Sequence, residues 1–120
     1  AIFFFFCIVM ADKIENSLVG NRSRIDKGST LICTYMMGAD YYQSTENIIS
    51  NDQNGIPNLG VGKYCFIENA ILDKNCSIGD NVRIIGGKHL PDGDYENHSI
   101  KDGIVVVKKN AVISAGTIIP

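Results

Sequence analysis

Residues 14–31 read IENSLVGNRSRIDKGSTL, and residues 67–84 read IENAILDKNCSIGDNVRI. Ile14, Glu15, Asn16 and Ile25 of the first stretch return as Ile67, Glu68, Asn69 and Ile78 of the second. Within each copy an aliphatic residue comes back at every sixth position: Val19, Ile25 and Leu31, then Leu72, Ile78 and Ile84. The tail repeats the spacing with Val107, Ile113 and Ile119. A helix repeats every 3.6 residues and a strand every 2, so neither accounts for a period of six. Hexapeptide solenoids do: each rung lays down a short parallel strand, buries one aliphatic side chain and turns a corner. The expected fold is therefore all-β, a parallel β-helix. A rung cannot bury its own face, so the repeat specifies stacking and partners before it specifies chemistry.

Three blocks carry the period, residues 14–37, 60–85 and 104–119, and two excursions separate them. In the first, residues 38–59, the string from Ser44 to Asn51 predicts about two helical turns. Ser44 serves as N-cap with Asn47 three residues later, and Asn54-Gly55-Ile56-Pro57 ends the helix. In the second, residues 86–103, the sequence GGKHLPDGDYENHSIKDG is polar and turn-rich, and Pro91-Asp92-Gly93 predicts a turn. The domain expected is thus 14–120, a β-helix with two loop or short-helix excursions. Residues 1–13 stand apart. AIFFFFCIVM is too short to span a bilayer, which takes roughly 20 residues, and it lacks the basic leader and cleavage site of a signal peptide. It reads as the last core strand of something upstream or as an error in the sequence, and the chain as a C-terminal fragment. Left exposed, its phenylalanines form an aggregation-prone stretch.

The chain has 120 residues and a net charge of −2, which fits one domain and argues against nucleic acid as a partner. Cys7, Cys33, Cys65 and Cys76 show no CxxC spacing and no flanking His at ligand distance, so no metal site is expected. Cys65 and Cys76 each fall four residues after a rung's aliphatic, where small buried thiols are expected. No phosphate loop appears: Leu59-Gly-Val-Gly-Lys lacks the following helix and the GK[ST] ending. His89 and His98 lie in or beside the second excursion as solvated loop residues, and no catalytic residue is assigned. Cations are more informative. Lys74 sits at a turn of the middle block, Lys108 and Lys109 precede a rung, and Lys101 lies just before the same block. If the rungs stack in register, turn lysines line up along one edge and form a small anion site. Lys74, Lys101 and Lys109 are the candidates, against the plain alternative of solvated turn lysines.

Four strings add a resemblance: Met36-Met-Gly-Ala-Asp-Tyr-Tyr-Gln, Gly60-Val-Gly, Ile71-Leu-Asp-Lys-Asn-Cys-Ser-Ile-Gly-Asp-Asn-Val, and Asp102-Gly-Ile-Val-Val-Val-Lys-Lys-Asn-Ala. Over residues 17–120 the chain resembles the C-terminal region of plant ADP-glucose pyrophosphorylase (glucose-1-phosphate adenylyltransferase), and Gln43 resembles the large subunit. The resemblance implies a left-handed parallel β-helix behind a nucleotidyltransferase domain that is absent here. It implies an enzyme that makes ADP-glucose and pyrophosphate from ATP and glucose 1-phosphate with Mg2+, for starch, in plastids or alternatively in the cytosol. Its partners would be a small subunit and a second large subunit in a heterotetramer, with no membrane involved. 3-Phosphoglycerate would activate it and phosphate inhibit it. The family's activator lysines map onto Lys74 and Lys109, Lys108 replaces a usually apolar residue, and no cofactor-binding residue carries over. Two other readings remain: a trimeric hexapeptide acyltransferase, for which His89 is the candidate base, and a non-catalytic structural solenoid.

Overall fold

The computed structural model describes the backbone of residues 2–3 and 7–120, and the side chains of residues 7–120. Among these residues the chain winds through five coils, each laying one strand on each of three faces. The first coil holds β1 (Ile2–Phe3), β2 (Ile8–Val9) and β3 (Lys13–Glu15), the second β4 (Leu18–Val19), β5 (Arg24–Ile25) and β6 (Thr30–Ile32). The third holds β7 (Tyr35–Met36), the helix α1 (Thr45–Asn54), β8 (Gly60–Val61) and β9 (Phe66–Glu68). The fourth holds β10 (Ala70–Leu72), β11 (Ser77–Ile78) and β12 (Arg83–Ile85). A hairpin of β13 (Gly93–Asp94) and β14 (His98–Lys101) precedes the fifth, made of β15 (Ile104–Val107), β16 (Val112–Ile113) and β17 (Ile118–Ile119). The three faces are parallel sheets in the orders β1-β4-β7-β10-β15, β2-β5-β8-β11-β16 and β3-β6-β9-β12-β17.

The six-residue period places one aliphatic residue inward per strand. Val19, Met36, Leu72 and Val107 stack behind the first face, Ile25, Val61, Ile78 and Ile113 behind the second, and Leu31, Ile67, Ile84 and Ile119 behind the third. None is more than 6 % exposed. Burial of each such side chain contributes about 1.5–3 kcal/mol. The third side of a coil is one residue shorter than the other two. Leu31 is followed by Met36 and Ile67 by Leu72, five residues on, and the register Leu18↔Tyr35 and Lys13↔Thr30 confirms it.

Most corners turn on a residue with left-handed backbone: Asn16, Arg22, Gly28 and Cys33 early in the chain, Tyr64, Asn69, Asn75 and Asn81 in the middle, Asn110 and Gly116 at the end. Asparagine and glycine take this conformation at least cost, so the asparagines of the repeat are corner posts. Four residues after the inward aliphatic comes a small buried position, held by Ser23, Ser29, Cys65, Cys76 and Val82. There Ser29 Oγ donates to the Gly62 carbonyl at 2.6 Å and accepts the Cys65 N–H at 2.9 Å, joining successive coils. Cys65 and Cys76 are free and buried, as their position in the repeat predicts.

The first excursion forms as expected. Ser44 Oγ accepts the Asn47 N–H at 3.1 Å, and Gly55, left-handed at φ 67, closes the helix. α1 has no buried residue, and polar ties brace the excursion internally. Gln43 Oε1 accepts the Leu59 N–H at 2.7 Å, and Asn58 Oδ1 accepts from Asn51 Nδ2 at 3.0 Å.

The second excursion differs from the expected loop. β13, β14 and β15 pair antiparallel, extending the first sheet by two strands. Gly93 begins a strand, and the tight turn falls at Asp102 (φ 52) and Gly103 (φ 80). The physical reason is that Ile100 pairs with Val105 and lies 6 % exposed against the core, with Leu90 packed alongside. The hairpin therefore covers the edge of β15. At the other end, Ile2–Phe3 pairs with Leu18–Val19 and Ile8–Val9 with Arg24–Ile25, so rung geometry extends upstream of residue 14. Most of the phenylalanine run, Phe4–Phe6, lies outside the described residues.

Candidate functional site

The corner that follows the first face in each coil gathers the charged groups of interest. Its turns stack through the backbone: Ala39 N–H donates to the Asn21 carbonyl at 2.9 Å, Asn75 N–H to Gly38 at 3.0 Å, and Asn110 N–H to Lys74 at 3.0 Å. Lys74 and Lys109 consequently stand on adjacent coils at the same corner, as register stacking predicts. Lys101 does not join them. It pairs with Ile104 at the start of β15, whereas Lys109 lies beyond the far end of that strand. The reading from spacing missed this because the hairpin reverses the chain between Lys101 and the rung. Lys108 is also engaged elsewhere, 2.7 Å from the Asp94 carboxylate and bonded to the Tyr95 carbonyl, which pins the hairpin tip beside the corner.

The structure adds two residues that the reading of lysines passed over. Asp40, at the entry to the first excursion, sends Oδ1 to Lys74 Nζ at 3.1 Å and Oδ2 to Asn75 Nδ2 at 3.1 Å. Asn75 Oδ1 in turn accepts the Asp40 N–H at 2.9 Å. The Asp40 carboxyl is held below the usual carboxylate range, chiefly by the Asn75 hydrogen bond, then by that of Lys74, with the fields of Lys74 and Lys109 adding. Both partners of the ion pair are about half exposed, 45 % for the Lys74 side chain and 47 % for Asp40. Solvent screens such a pair, and it opens easily. Asp73 turns its carboxylate inward to the Lys74 N–H at 2.6 Å. The sequence signal for Asp40 was present in the Met36–Gln43 string, but nothing local shows that its aspartate faces a lysine 34 residues away.

Other places carry less chemistry. A cleft of about 360 Å³ lies between the first excursion and the second face. Several of its charged groups are already engaged: Arg24 with Asp26 at 3.6 Å, and Asp80 Oδ1 with the backbone N–H of Lys63 at 2.8 Å. His89 stands exposed in a turn. His98 stacks on Tyr95 at 4.7 Å and has Nδ1 2.6 Å from Asn97 Oδ1; burial, then Lys108, pushes its imidazole to a lower pKa. Among the described residues no group of three or more His, Cys, Asp and Glu is placed to hold a metal ion. No helix among them is long and apolar enough to cross a membrane.

Comparison with known proteins agrees with this architecture. Residues 4–118 match the family described as the GLGC left-handed parallel beta-helix domain. The chain is 41 % identical over 117 residues to the glucose-1-phosphate adenylyltransferase small subunit of Zea mays, covering 94 % of this chain and 93 % of that protein. It is 40 % identical over 116 residues to the glucose-1-phosphate adenylyltransferase small subunit, chloroplastic/amyloplastic, of Triticum aestivum, covering 94 % of this chain and 24 % of that protein. The chain thus spans most of the maize relative and about a quarter of the wheat one. Both are named small subunits, whereas Gln43 suggested the large one. In this structure Gln43 ties the two ends of the first excursion. The chain belongs to the glucose-1-phosphate adenylyltransferase family, as its left-handed parallel β-helix domain.

Proposed function

We propose that this β-helix is the regulatory and subunit-contact domain of a plastid glucose-1-phosphate adenylyltransferase, and that Lys74 and Lys109 bind an anionic effector at the stacked corner. The observation that carries the reading is the placement of these two lysines on adjacent coils, fixed by the bond from the Asn110 N–H to the Lys74 carbonyl. The bond-making would belong to a nucleotidyltransferase domain using ATP, glucose 1-phosphate and Mg2+ to give ADP-glucose and pyrophosphate. Large and small subunits would assemble around it as a heterotetramer, with a cytosolic location as the alternative. The β-helix contributes binding energy. An anion held by both lysines favours the active arrangement only as far as it binds that arrangement more tightly, and such coupling is typically about 1–3 kcal/mol.

Lys109→Gln in the assembled enzyme tests this. A lost charged contact of about 1.5–3 kcal/mol raises the 3-phosphoglycerate concentration for half-activation about ten-fold or more. An unchanged activation curve overturns the assignment. Lys101→Gln is the internal comparison, because that residue lies at the other end of β15.

A further inference from the structure

We infer that Asp40 is a built-in competitor for the anion site: its carboxylate occupies Lys74 and Asn75 when no anion is bound, and an anion must displace it. The inference rests on the proposed role of Lys74 and Lys109 and goes one residue beyond it. Its ground is geometric. Both carboxylate oxygens of Asp40 are taken up, one by Lys74 Nζ and one by Asn75 Nδ2, each at 3.1 Å. These donors, an ammonium and an amide on a turn, are the kind a phosphate or carboxylate would use. Asp40 comes from a different coil, 34 residues before Lys74, so it reaches the lysine by stacking and not through a local turn. The remaining charged groups of the corner do not compete in the same way. Asp73 bonds the Lys74 N–H, Lys108 is held by Asp94, and Arg22 donates to the Ala39 carbonyl at 3.1 Å.

The position of Asp40 also gives the exchange a consequence. Asp40 directly precedes the Tyr41–Gln43 segment, whose Gln43 ties down both ends of the first excursion. An anion that takes Lys74 Nζ and Asn75 Nδ2 removes both carboxylate bonds of Asp40 and so loosens the entry of that excursion. Conversely, any contact that lifts the excursion off the solenoid frees the lysine for an anion. By linkage the two effects are equal in size.

The test is titration of the full chain with inorganic phosphate at constant ionic strength, followed at the amides of Lys74, Asn75 and Asn110. Asp40→Asn keeps the size of the side chain and removes its charge. A unit charge about 4 Å away in water corresponds to about five-fold in an equilibrium constant, so the variant is expected to bind phosphate about five-fold more tightly. Equal or weaker binding by Asp40→Asn overturns the inference. Loss of binding in Lys74→Gln and Lys109→Gln shows that the site itself stands in that case. If neither the wild-type chain nor Asp40→Asn responds to phosphate, the anion reading of the corner falls, and the competitor role with it.

Discussion

Gly38 and Gly55 have positive φ values of 90 and 67, yet they carry unequal burdens. A Cβ at Gly38 would stand 2.1 Å from the Asn21 carbonyl oxygen, at the point where two coils stack. A Cβ at Gly55 meets nothing within 4 Å. Gly38→Ala is therefore expected to cost about 3 kcal/mol or more, since backbone strain is joined by a clash that only movement of a coil relieves. Gly55→Ala is expected to cost about 1–2 kcal/mol, from left-handed strain alone. Urea midpoints of the two variants decide it, and equal losses would contradict the stacking role given to Gly38. The inequality was not readable from composition. Both glycines lie in the first excursion, and only the neighbouring coil distinguishes them.

The two excursions show what an element's sequence reveals and conceals. α1 was legible because its signals are local: an N-cap serine, an amide donor three residues on, and a left-handed glycine at the end. The hairpin was passed over, although Lys101-Asp102-Gly103-Ile104 between apolar residues is a strong hairpin signal. The polar character of residues 86–99 outweighed the scattered apolar residues Leu90 and Ile100. In the folded chain Ile100 is 6 % exposed and completes the cover over Val105. Ile100→Ala is expected to lower stability by about 2 kcal/mol or more and to speed amide exchange in β13 and β14 ahead of β10. A variant as stable as the wild type, with unchanged exchange, would mean the hairpin is an ornament on the solenoid. Lys101 shares this lesson: near Lys109 in sequence, it is carried away by the strand between them.

Across the whole molecule, burial depends on a residue's place in the stack. Cys76 lies inside the fourth coil with its thiol pushed up to about 12 by burial, and burial also raises the Cys65 thiol. Cys33 is exposed at a corner. A thiol reagent at pH 8 is expected to label Cys33 at once and to reach Cys65 and Cys76 only as fast as the coils open, because the thiolate is the reacting form. Mass spectrometry of labelled peptides checks this, and prompt labelling of Cys76 would refute the packed stack. Since the folded Cys76 pKa is raised above 9.0, its contribution to stability is complete below pH 9 and is lost as pH rises towards 12. The loss is about 1.4 kcal/mol per pH unit within that window.

The repeat alone determined the solenoid. A six-residue aliphatic period admits few other structures, and every inward residue it marks at Val19, Ile25, Leu31, Leu72, Ile78 and Ile84 is buried. It also determined the breaks in the stack, because loss of periodicity is a local property. The tertiary structure alone decided which charges meet. Lys74, Lys109 and Asp40 are brought together by coil register across two excursions, and Lys101 is removed by a strand reversal. Burial is written into each rung by the need to exclude water, whereas side chains at the corners meet only after every coil has been counted and stacked.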